Sequence, residues 1–272
     1  MAKQATDGCI AIRPCIEIKN MAVRYGGTVA LADVSFEIAR EETVALIGPN
    51  GSGKSTVLRA LAGLVRPASG SATVEGAAVD KTAPRDLAKL VAYVPQETSV
   101  PFDFSVREIV AMGRSPYLPA SGFESRDDLA AVEEAIELMD LGALAERSIL
   151  DVSGGERQRA MIARALAQRT PVLLLDEPAA NLDLRYQADL YALLARLRRD
   201  RGLTTVLVSH DLNAAASCRR VIVLLDGRVR RIGPPADVLT AEMVAEVYAC
   251  RALVDAHPTT RAPRITLDWE RA

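Results

Sequence analysis

The sequence lacks the features that mark several classes of protein. It has no run of about 18 apolar residues, so no segment is predicted to cross a bilayer as a helix. No apolar stretch resembling a secretory signal follows the first residues. None of the 4 cysteines forms a C-x-x-C pair, which argues against zinc and thioredoxin-like chemistry and favours reduced thiols. The net charge of −2 argues against nucleic acid as a partner, since such proteins are commonly basic.

The chain divides into three regions by composition and periodicity. Residues 1–14 are predicted to be a flexible extension, residues 15–250 the main domain, and residues 251–272 a C-terminal tail with a possible final strand. Short apolar runs alternate with helical patterns in the main domain, which predicts an α/β fold. Residues of about 100–155 differ: they are mainly helical and open with a capping box at Ser105 and Glu108, which predicts an inserted lobe.

A glycine-rich loop indicates phosphate binding. Gly48–Ser55 fits G-x-x-x-x-G-K-[ST] between the apolar run Val44–Ile47 and a helical segment, which is the context that such a loop requires. Its backbone N–H groups can accept phosphate oxygens, while Lys54 adds charge and Ser55 offers a hydroxyl to Mg²⁺. A glycine-rich turn that binds nothing is the alternative, which the flanking strand and helix disfavour. The predicted nucleotide-binding residues of this loop are Gly48, Pro49, Asn50, Gly51, Ser52, Gly53, Lys54, Ser55 and Thr56.

Two carboxylates follow another apolar run. Val172–Leu175 leads directly into Asp176 and Glu177. At the carboxyl end of a buried parallel strand these side chains face the ligand crevice, where Asp176 can hold Mg²⁺ through a water and Glu177 can orient the attacking water. A solvated strand end is an equal alternative for this segment alone, and the phosphate loop favours the functional interpretation.

A further predicted helix begins at Ser153. Ser153 and Glu156 form a capping box around two glycines, so this segment is either an anion site or an ordinary capped helix. Together with the phosphate loop and the acidic pair, Ser153–Glu156 resembles the signature motif of the ABC ATPase family. The resemblance implies a P-loop core with an N-terminal antiparallel β subdomain and an inserted helical lobe. It further implies ATP and Mg²⁺ as cofactors, and a second copy packed head to tail.

The same resemblance implies roles for single residues. Tyr25 matches the aromatic that stacks on adenine, and the Asn181, Leu182 and Asp183 loop matches the one that contacts the opposite subunit. A half-buried strand tyrosine and a structural histidine are the ordinary alternatives for Tyr25 and His210. The family pattern assigns catalysis to Lys54, Gln96, Glu177 and His210, the metal site to Ser55, Gln96 and Asp176, and the signature contact with the opposite subunit's ATP to Ser153, Gly154, Gly155 and Glu156.

A segment of the helical lobe indicates which branch of the family the chain resembles. Gly113–Pro116 is similar to a segment in the ATPase subunits of importers for ferric siderophores, haem and cobalamin; otherwise it is a helix stop and turn. This branch implies transmembrane permease subunits, an indirectly associated substrate-binding protein and a peripheral position at the cytoplasmic face of the inner membrane. Residues between Gln96 and Tyr117 are expected to dock the permease. A soluble assembly ATPase, such as those of iron–sulfur cluster biogenesis, is the main alternative, and a purely regulatory nucleotide-binding module is a second.

Overall fold

A computed structural model of the protein describes residues 14–96, 101–119 and 122–268. The predicted extension lies outside this part of the chain except for Pro14. The strands are β1 Ile16–Tyr25, β2 Thr28–Ile38, β3 Thr43–Ile47, β4 Ser69–Val74, β5 Ala77–Ala78, β6 Val91–Val94, β7 Val172–Asp176, β8 Thr204–Val208, β9 Arg220–Leu225, β10 Arg228–Gly233, β11 Ala252–Ala256 and β12 Pro263–Leu267. The helices are α1 Lys54–Leu61, α2 Pro84–Leu87, α3 Val106–Ala111, α4 Arg126–Leu138, α5 Gly154–Ala167, α6 Leu184–Arg201, α7 Leu212–Ala215, α8 Pro235–Val238 and α9 Ala241–Tyr248.

A six-stranded sheet in the order β10-β9-β3-β8-β7-β6 forms the core. Strands β9, β3, β8, β7 and β6 are parallel, and only β10 runs antiparallel to its neighbour. Every residue of the central strands β7 and β8 is buried, as is typical of parallel strands that are covered on both faces. Val208 pairs with both Leu46 and Asp176, so the carboxyl ends of the central strands lie at one edge.

The N-terminal part forms a separate antiparallel sheet, as predicted, in the order β2-β1-β4-β5. Its strands alternate between buried and exposed residues, which is typical of a sheet with one face on the core. Ile16, Ile18 and Val23 lie on the buried face and pack in one cluster with residues of α1 and β3. This subdomain therefore supports the segment that follows β3.

The inserted lobe consists of α3, α4 and the start of α5, which pack on one another. Capping boxes begin both of the first two helices, at Ser105 and Ser125. Between them Arg114 is buried: its Nε donates to Asp128 Oδ1 at 2.8 Å, and its guanidinium lies 4.0 Å from the centre of the Tyr117 ring. Arg114 also donates to the carbonyl of Ala167 at the end of α5. These contacts connect the segment after α3 to α4 and to the end of α5.

The C-terminal half of the chain contains two hairpins. Asp226 and Gly227, which connect β9 and β10, have φ of 49° and 70°, as the type I′ turn favoured by an Asp-Gly pair requires. The tail, for which a single strand was expected, forms a hairpin of two strands, β11 and β12, that contact α9 and α7 respectively. Within the described ranges no helix is long and apolar enough to cross a membrane.

Candidate active site

Four neighbouring strands deliver the candidate catalytic residues to one edge of the sheet. Strand β3 leads into the phosphate loop, β7 into Asp176 and Glu177, β8 into His210, and β6 into Gln96. Because the strands are parallel and adjacent, segments distant in sequence meet at their carboxyl ends. The fold therefore brings together all of the predicted catalytic side chains, at the position where doubly wound sheets bind ligands.

The backbone of the phosphate loop packs closely against strands β9 and β2. Gly48 has φ of 148°, and a Cβ on it would lie 2.1 Å from the carbonyl oxygen of Leu224 in β9. Gly53 has φ of 101°, and a Cβ there would meet Leu31 and the carbonyl of Ala30. Only glycine fits both positions. The backbone of the loop therefore packs directly against the sheet and the N-terminal subdomain, which fixes its shape.

Lys54 lies inside this loop. It is 5% exposed, and its Nζ donates to the carbonyls of Gly48 at 2.8 Å and Pro49 at 2.9 Å. Burial lowers the pKa of Lys54, and the nearby carboxylates of Glu177 and Asp176 oppose this shift. The ammonium is thus fixed at the first turn of α1, whose N-cap residue offers no side-chain cap. A phosphate at this end would meet both the charge and free backbone N–H groups.

The remaining loop residues differ in exposure. Asn50 and Gly51 form the exposed tip, and Thr56 is buried in α1. Ser52 is buried, and its Oγ has no hydrogen-bond partner in the described structure. A buried hydroxyl without a partner is unusual in a folded protein and is consistent with a ligand-facing position.

Asp176 is the most buried charged group of the site. It is 0% exposed and accepts hydrogen bonds from Ser55 Oγ at 3.1 Å and from the Tyr93 hydroxyl at 3.3 Å. Burial raises the pKa of Asp176, whereas the bonds from Ser55 and Tyr93 lower it. The carboxylate and the Ser55 hydroxyl together place oxygen atoms beside the phosphate loop, whereas Gln96, the third residue predicted for the metal site, hydrogen-bonds Glu177.

Glu177 connects two further strands. Its Oε2 accepts from Gln96 Nε2 at 2.9 Å, and its Oε1 lies 2.5 Å from His210 Nε2. The backbone of Glu177 has φ of 52°, which is costly for a residue with a side chain, and its N–H donates to the Val208 carbonyl. The strained backbone places the carboxylate between the glutamine and the histidine, and its side chain remains 13% exposed.

The signature segment lies on the lobe rather than at the strand edge. Ser153 caps α5: its Oγ accepts from the Glu156 N–H at 3.3 Å, and its own N–H donates to Glu156 Oε2 at 2.8 Å. Hydrogen bonds to the carboxylate, first from the Ser153 backbone N–H and then from the Ser153 side chain, lower the pKa of Glu156. Ser153 and Gly154 are exposed, and a Cβ on Gly154 would meet nothing. The capping box is confirmed, and its outer face is free of contacts within the described chain.

The loop at Asn181–Asp183 lies beside this helix start. A Cβ on Gly155 would lie 3.0 Å from the Asn181 carbonyl, and Leu182 is 6% exposed. Asp183 caps α6 by accepting from the N–H of Tyr186 at 3.0 Å. The signature segment and this loop therefore form one continuous surface.

Tyr25, at the end of β1, is 46% exposed, so its ring is accessible for stacking.

Tyr93 was missed by the sequence reasoning, although it hydrogen-bonds the buried carboxylate of Asp176. Its position in the sequence could have indicated this role, because Tyr93 is the one residue with a polar side chain in strand β6, which ends just before Gln96.

A second unpredicted contact comes from the turn of β9 and β10. The Gly227 N–H donates to the Ser52 carbonyl at 3.2 Å, and the Gly227 carbonyl accepts from Ala32. That turn joins the phosphate loop to the N-terminal subdomain.

Comparison with known proteins assigns the family. The family described as ABC transporter matches residues 31–180. The chain is an ABC transporter ATPase. The hemin import ATP-binding protein HmuV of Rhodococcus jostii is 43% identical over 243 residues, 89% of this chain and 82% of the relative. The ferric enterobactin transport ATP-binding protein FepC of Escherichia coli is 36% identical over 250 residues, 91% of this chain and 92% of the relative.

A solved structure agrees with the fold of this ABC ATPase. A dimeric ATP-binding cassette in a post-hydrolysis state, bound to ADP and Pi, has a TM-score of 0.73 and 30% sequence identity. The match covers 80% of this chain and 98% of the other. The family and the fold class predicted from the phosphate loop and the signature motif are thereby confirmed, and family membership makes ATP the nucleotide that the chain binds.

Proposed function

We propose that this chain is the ATPase subunit of a membrane importer for a ferric siderophore, haem or cobalamin. The observation that carries the proposal is the convergence of Lys54, Asp176, Glu177, Gln96 and His210 at one sheet edge. Relatives that import hemin or transport ferric enterobactin, aligned over most of their lengths, support the cargo class.

Hydrolysis is assigned to Glu177. Its carboxylate orients a water toward the γ-phosphorus and accepts a proton as the new P–O bond forms and the bond to the bridging oxygen breaks. His210 and Gln96 hold the two carboxylate oxygens in place from neighbouring strands. Lys54 neutralises phosphate charge inside the loop, and the exposed Tyr25 is the proposed stacking partner of adenine.

Mg²⁺ is proposed to be held by Ser55, Asp176 and Gln96. The fit rests on Asp176, a buried carboxylate held by two hydroxyl groups and without an ion-pair partner in the described chain. The described residues include no cluster of three or more His, Cys, Asp or Glu that could hold a metal. Mg²⁺ suits such a sparse set because it keeps several waters and binds substrate phosphates. When bound, it would neutralise charge on the phosphate oxygens.

A second copy is proposed to complete the site. The phosphate-loop half is formed within one chain, whereas Ser153 and Gly154 are exposed on the lobe, where the Ser153 side chain hydrogen-bonds Glu156 of its own capping box. A helix start with exposed N–H groups attracts a phosphate, here the γ-phosphate of ATP on the other copy. The neighbouring Asn181–Asp183 loop would then lie at the same interface. A dimeric relative supports this arrangement.

A groove beside Gln96 is the proposed place for the permease. Its lining residues lie outside the segment between Gln96 and Tyr117 that is expected from the sequence to dock the permease. This cavity of about 620 Å³ is lined by Arg59, Leu64, Tyr93, Pro95 and Arg164 among others. Neither arginine has an ion-pair partner in the described chain, and burial lowers the pKa of Arg164. The groove therefore suits a cytoplasmic permease segment that carries an acidic side chain. This contact would place the chain peripherally at the cytoplasmic face of the membrane, with the substrate-binding protein contacting only the permease.

Cellular uptake tests this function. Uptake of labelled ferric siderophore, haem and cobalamin is compared in intact cells, cells lacking the chain, and cells carrying Lys54→Ala. Loss of one cargo, restored by the unchanged chain and not by Lys54→Ala, is the expected result. Unchanged uptake of all three would contradict import of these cargoes and would favour another cargo or the soluble assembly ATPase. Fractionation separates the two, because the assembly ATPase should not follow the membrane.

A further inference from the structure

The outer edge of strand β12 is capped by a single side chain. Asn213 Nδ2 donates to the Ile265 carbonyl at 3.1 Å, and Asn213 Oδ1 accepts from the Ile265 N–H at 2.8 Å. One amide thus satisfies both backbone groups of Ile265, as a neighbouring strand would. The two bonds join α7 to a strand 52 residues further along the chain.

The hairpin that carries Ile265 is anchored on the core. Ile265 is 8% exposed and belongs to the main hydrophobic cluster, and Val254, its cross-strand partner in β11, packs against the same cluster. Strand β11 also contacts α9. The hairpin therefore offers α7 a fixed point of attachment outside the catalytic sheet.

Helix α7 is coupled closely to His210. Asp211 caps the helix by accepting from the Asn213 N–H at 2.8 Å, and the Asp211 N–H donates to Ser209 Oγ at 3.0 Å. His210 lies between these residues, with its Nε2 2.5 Å from Glu177. Since α7 has only four residues, any shift of Asn213 moves the turn that carries the histidine.

We propose that Asn213 is a positioning residue for hydrolysis, and that the β11–β12 hairpin acts through it to hold His210 against Glu177. The proposal rests on the assignment of Glu177 and His210 made above. Asn213 touches neither the nucleotide-binding loop nor Glu177 in the described structure, so its effect is transmitted through α7. It follows that hydrolysis, rather than ATP binding, depends on the hairpin.

The two hydrogen bonds to Ile265 require a side chain that both donates and accepts, as asparagine does. An amide both donates and accepts, whereas an aspartate in its place could only accept and would face the Ile265 carbonyl with a negative charge. Asn213→Asp changes the shape of the side chain little and should therefore be nearly as damaging as Asn213→Ala. A purely space-filling role would leave the aspartate variant active.

The first measurement is steady-state ATP hydrolysis per nucleotide-binding site, together with the ATP dissociation constant. Asn213→Ala and Asn213→Asp are expected to lower kcat by about tenfold, since small misplacements of catalytic groups have effects of this order or larger. KM and the dissociation constant should remain within about twofold of the unchanged protein. Arg264→Ala is the matched control, because it removes the exposed Arg264–Asp255 ion pair of the same hairpin without touching α7.

The second measurement reports on His210 directly. The chain has 2 histidines, so isotope labelling of histidine gives two sets of ring signals, from His210 and from His257 in the hairpin turn. Asn213→Ala should shift or broaden the His210 signals, and Arg264→Ala should leave them unchanged. Variants with unchanged kcat and unmoved His210 signals would overturn the proposal, even if they melted at a lower temperature. Full activity of His210→Ala would instead overturn the role given to His210 in the proposed function.

Discussion

The two parts of the proposed nucleotide site differ in how completely one chain builds them. At the strand edge, Lys54 is 5% exposed and Asp176 is 0% exposed, and each is held by hydrogen bonds within the chain. At the start of α5, Ser153 and Gly154 are exposed, and only Glu156 satisfies the helix end. The sheet holds the side chains of the first part in place, whereas the second part is an exposed surface that we propose to contact a second copy.

This difference separates two kinds of variant. Changes at the strand edge should damage ATP binding or hydrolysis in any assembly state, because the groups there act within their own chain. Changes on the exposed face of Ser153–Glu156 should leave ATP binding to a single chain intact and affect only the paired form. Changes inside the lobe should weaken the scaffold on which that face is built.

The largest effect is expected for Glu177→Gln. The amide keeps the size of the side chain but cannot accept a proton, so ATP hydrolysis should fall by at least about 100-fold. ATP binding should persist, because Lys54 and the phosphate loop are unchanged. Phosphate release measures the rate, and Glu137→Gln, on the exposed face of α4, is the control. Activity unaffected by Glu177→Gln would remove this residue from catalysis.

Asp128→Asn tests the scaffold of the signature face. Asp128 is 5% exposed and pairs with Arg114, which is 6% exposed, so neutralising it leaves a buried guanidinium without its counter-charge. Loss of one partner of a buried pair should lower the free energy of unfolding by about 3 kcal/mol. Urea titration measures the loss, and Asp127→Asn, the exposed neighbour, should change little.

The same carboxylate gives a pH dependence with a defined sign. Hydrogen bonds from Ser125, and then the Arg114 guanidinium, lower the pKa of Asp128 from 3.8 to about 2. A lowered pKa in the folded state stabilises the protein fully above the ordinary value, and the contribution disappears as pH falls toward the folded value. The difference in free energy of unfolding between the unchanged protein and Asp128→Asn should therefore be constant near neutral pH and shrink between about pH 4 and 2. A constant difference across that range would contradict the assignment.

Lys54→Ala should weaken ATP binding in a single chain. A charged hydrogen bond to phosphate contributes about 1.5–3 kcal/mol, so affinity should fall about 10- to 150-fold. Titration with a fluorescent ATP analogue measures this, and Lys81→Ala, an exposed lysine, provides the comparison. Equal affinities of the two variants would show that Lys54 does not contact phosphate.

Gly154→Ala should have the smallest effect on ATP hydrolysis. It also separates most clearly the role of the strand edge from that of the exposed start of α5. The added Cβ meets nothing within its own chain, so folding and ATP binding by one chain should be unchanged. It would protrude into the paired copy and lower hydrolysis by roughly tenfold through misplacement of the phosphate contact. Gly142→Ala, where a Cβ also meets nothing, is the matched control on the lobe surface. Normal hydrolysis by Gly154→Ala would argue that this face does not contact a second copy.

Much of this architecture could be predicted from local sequence signals. The structure has capping boxes at Ser105 and Ser153 and buried core strands where the sequence predicts them. Helix α4 begins at Arg126, directly after the capping residue Ser125. Capping depends on residues that are close in sequence, so helix starts of this kind are encoded locally.

Long-range contacts could not be read in the same way. The hydrogen bonds of Tyr93 to Asp176 and of Asn213 to Ile265 join segments 83 and 52 residues apart. No spacing in the sequence encodes them, because they depend on which strands become neighbours and on where the tail returns. The strained φ of Glu177 likewise follows from the packing of β7 and β8 rather than from a local preference.

The most direct test of the central claim is the mass of the Glu177→Gln protein in solution with ATP and Mg²⁺. If each site needs the phosphate loop of one copy and Ser153 of another, light scattering should show a dimer with two bound ATP molecules and a monomer when nucleotide is absent. A protein that binds one ATP per chain and stays monomeric under the same conditions would contradict the shared site.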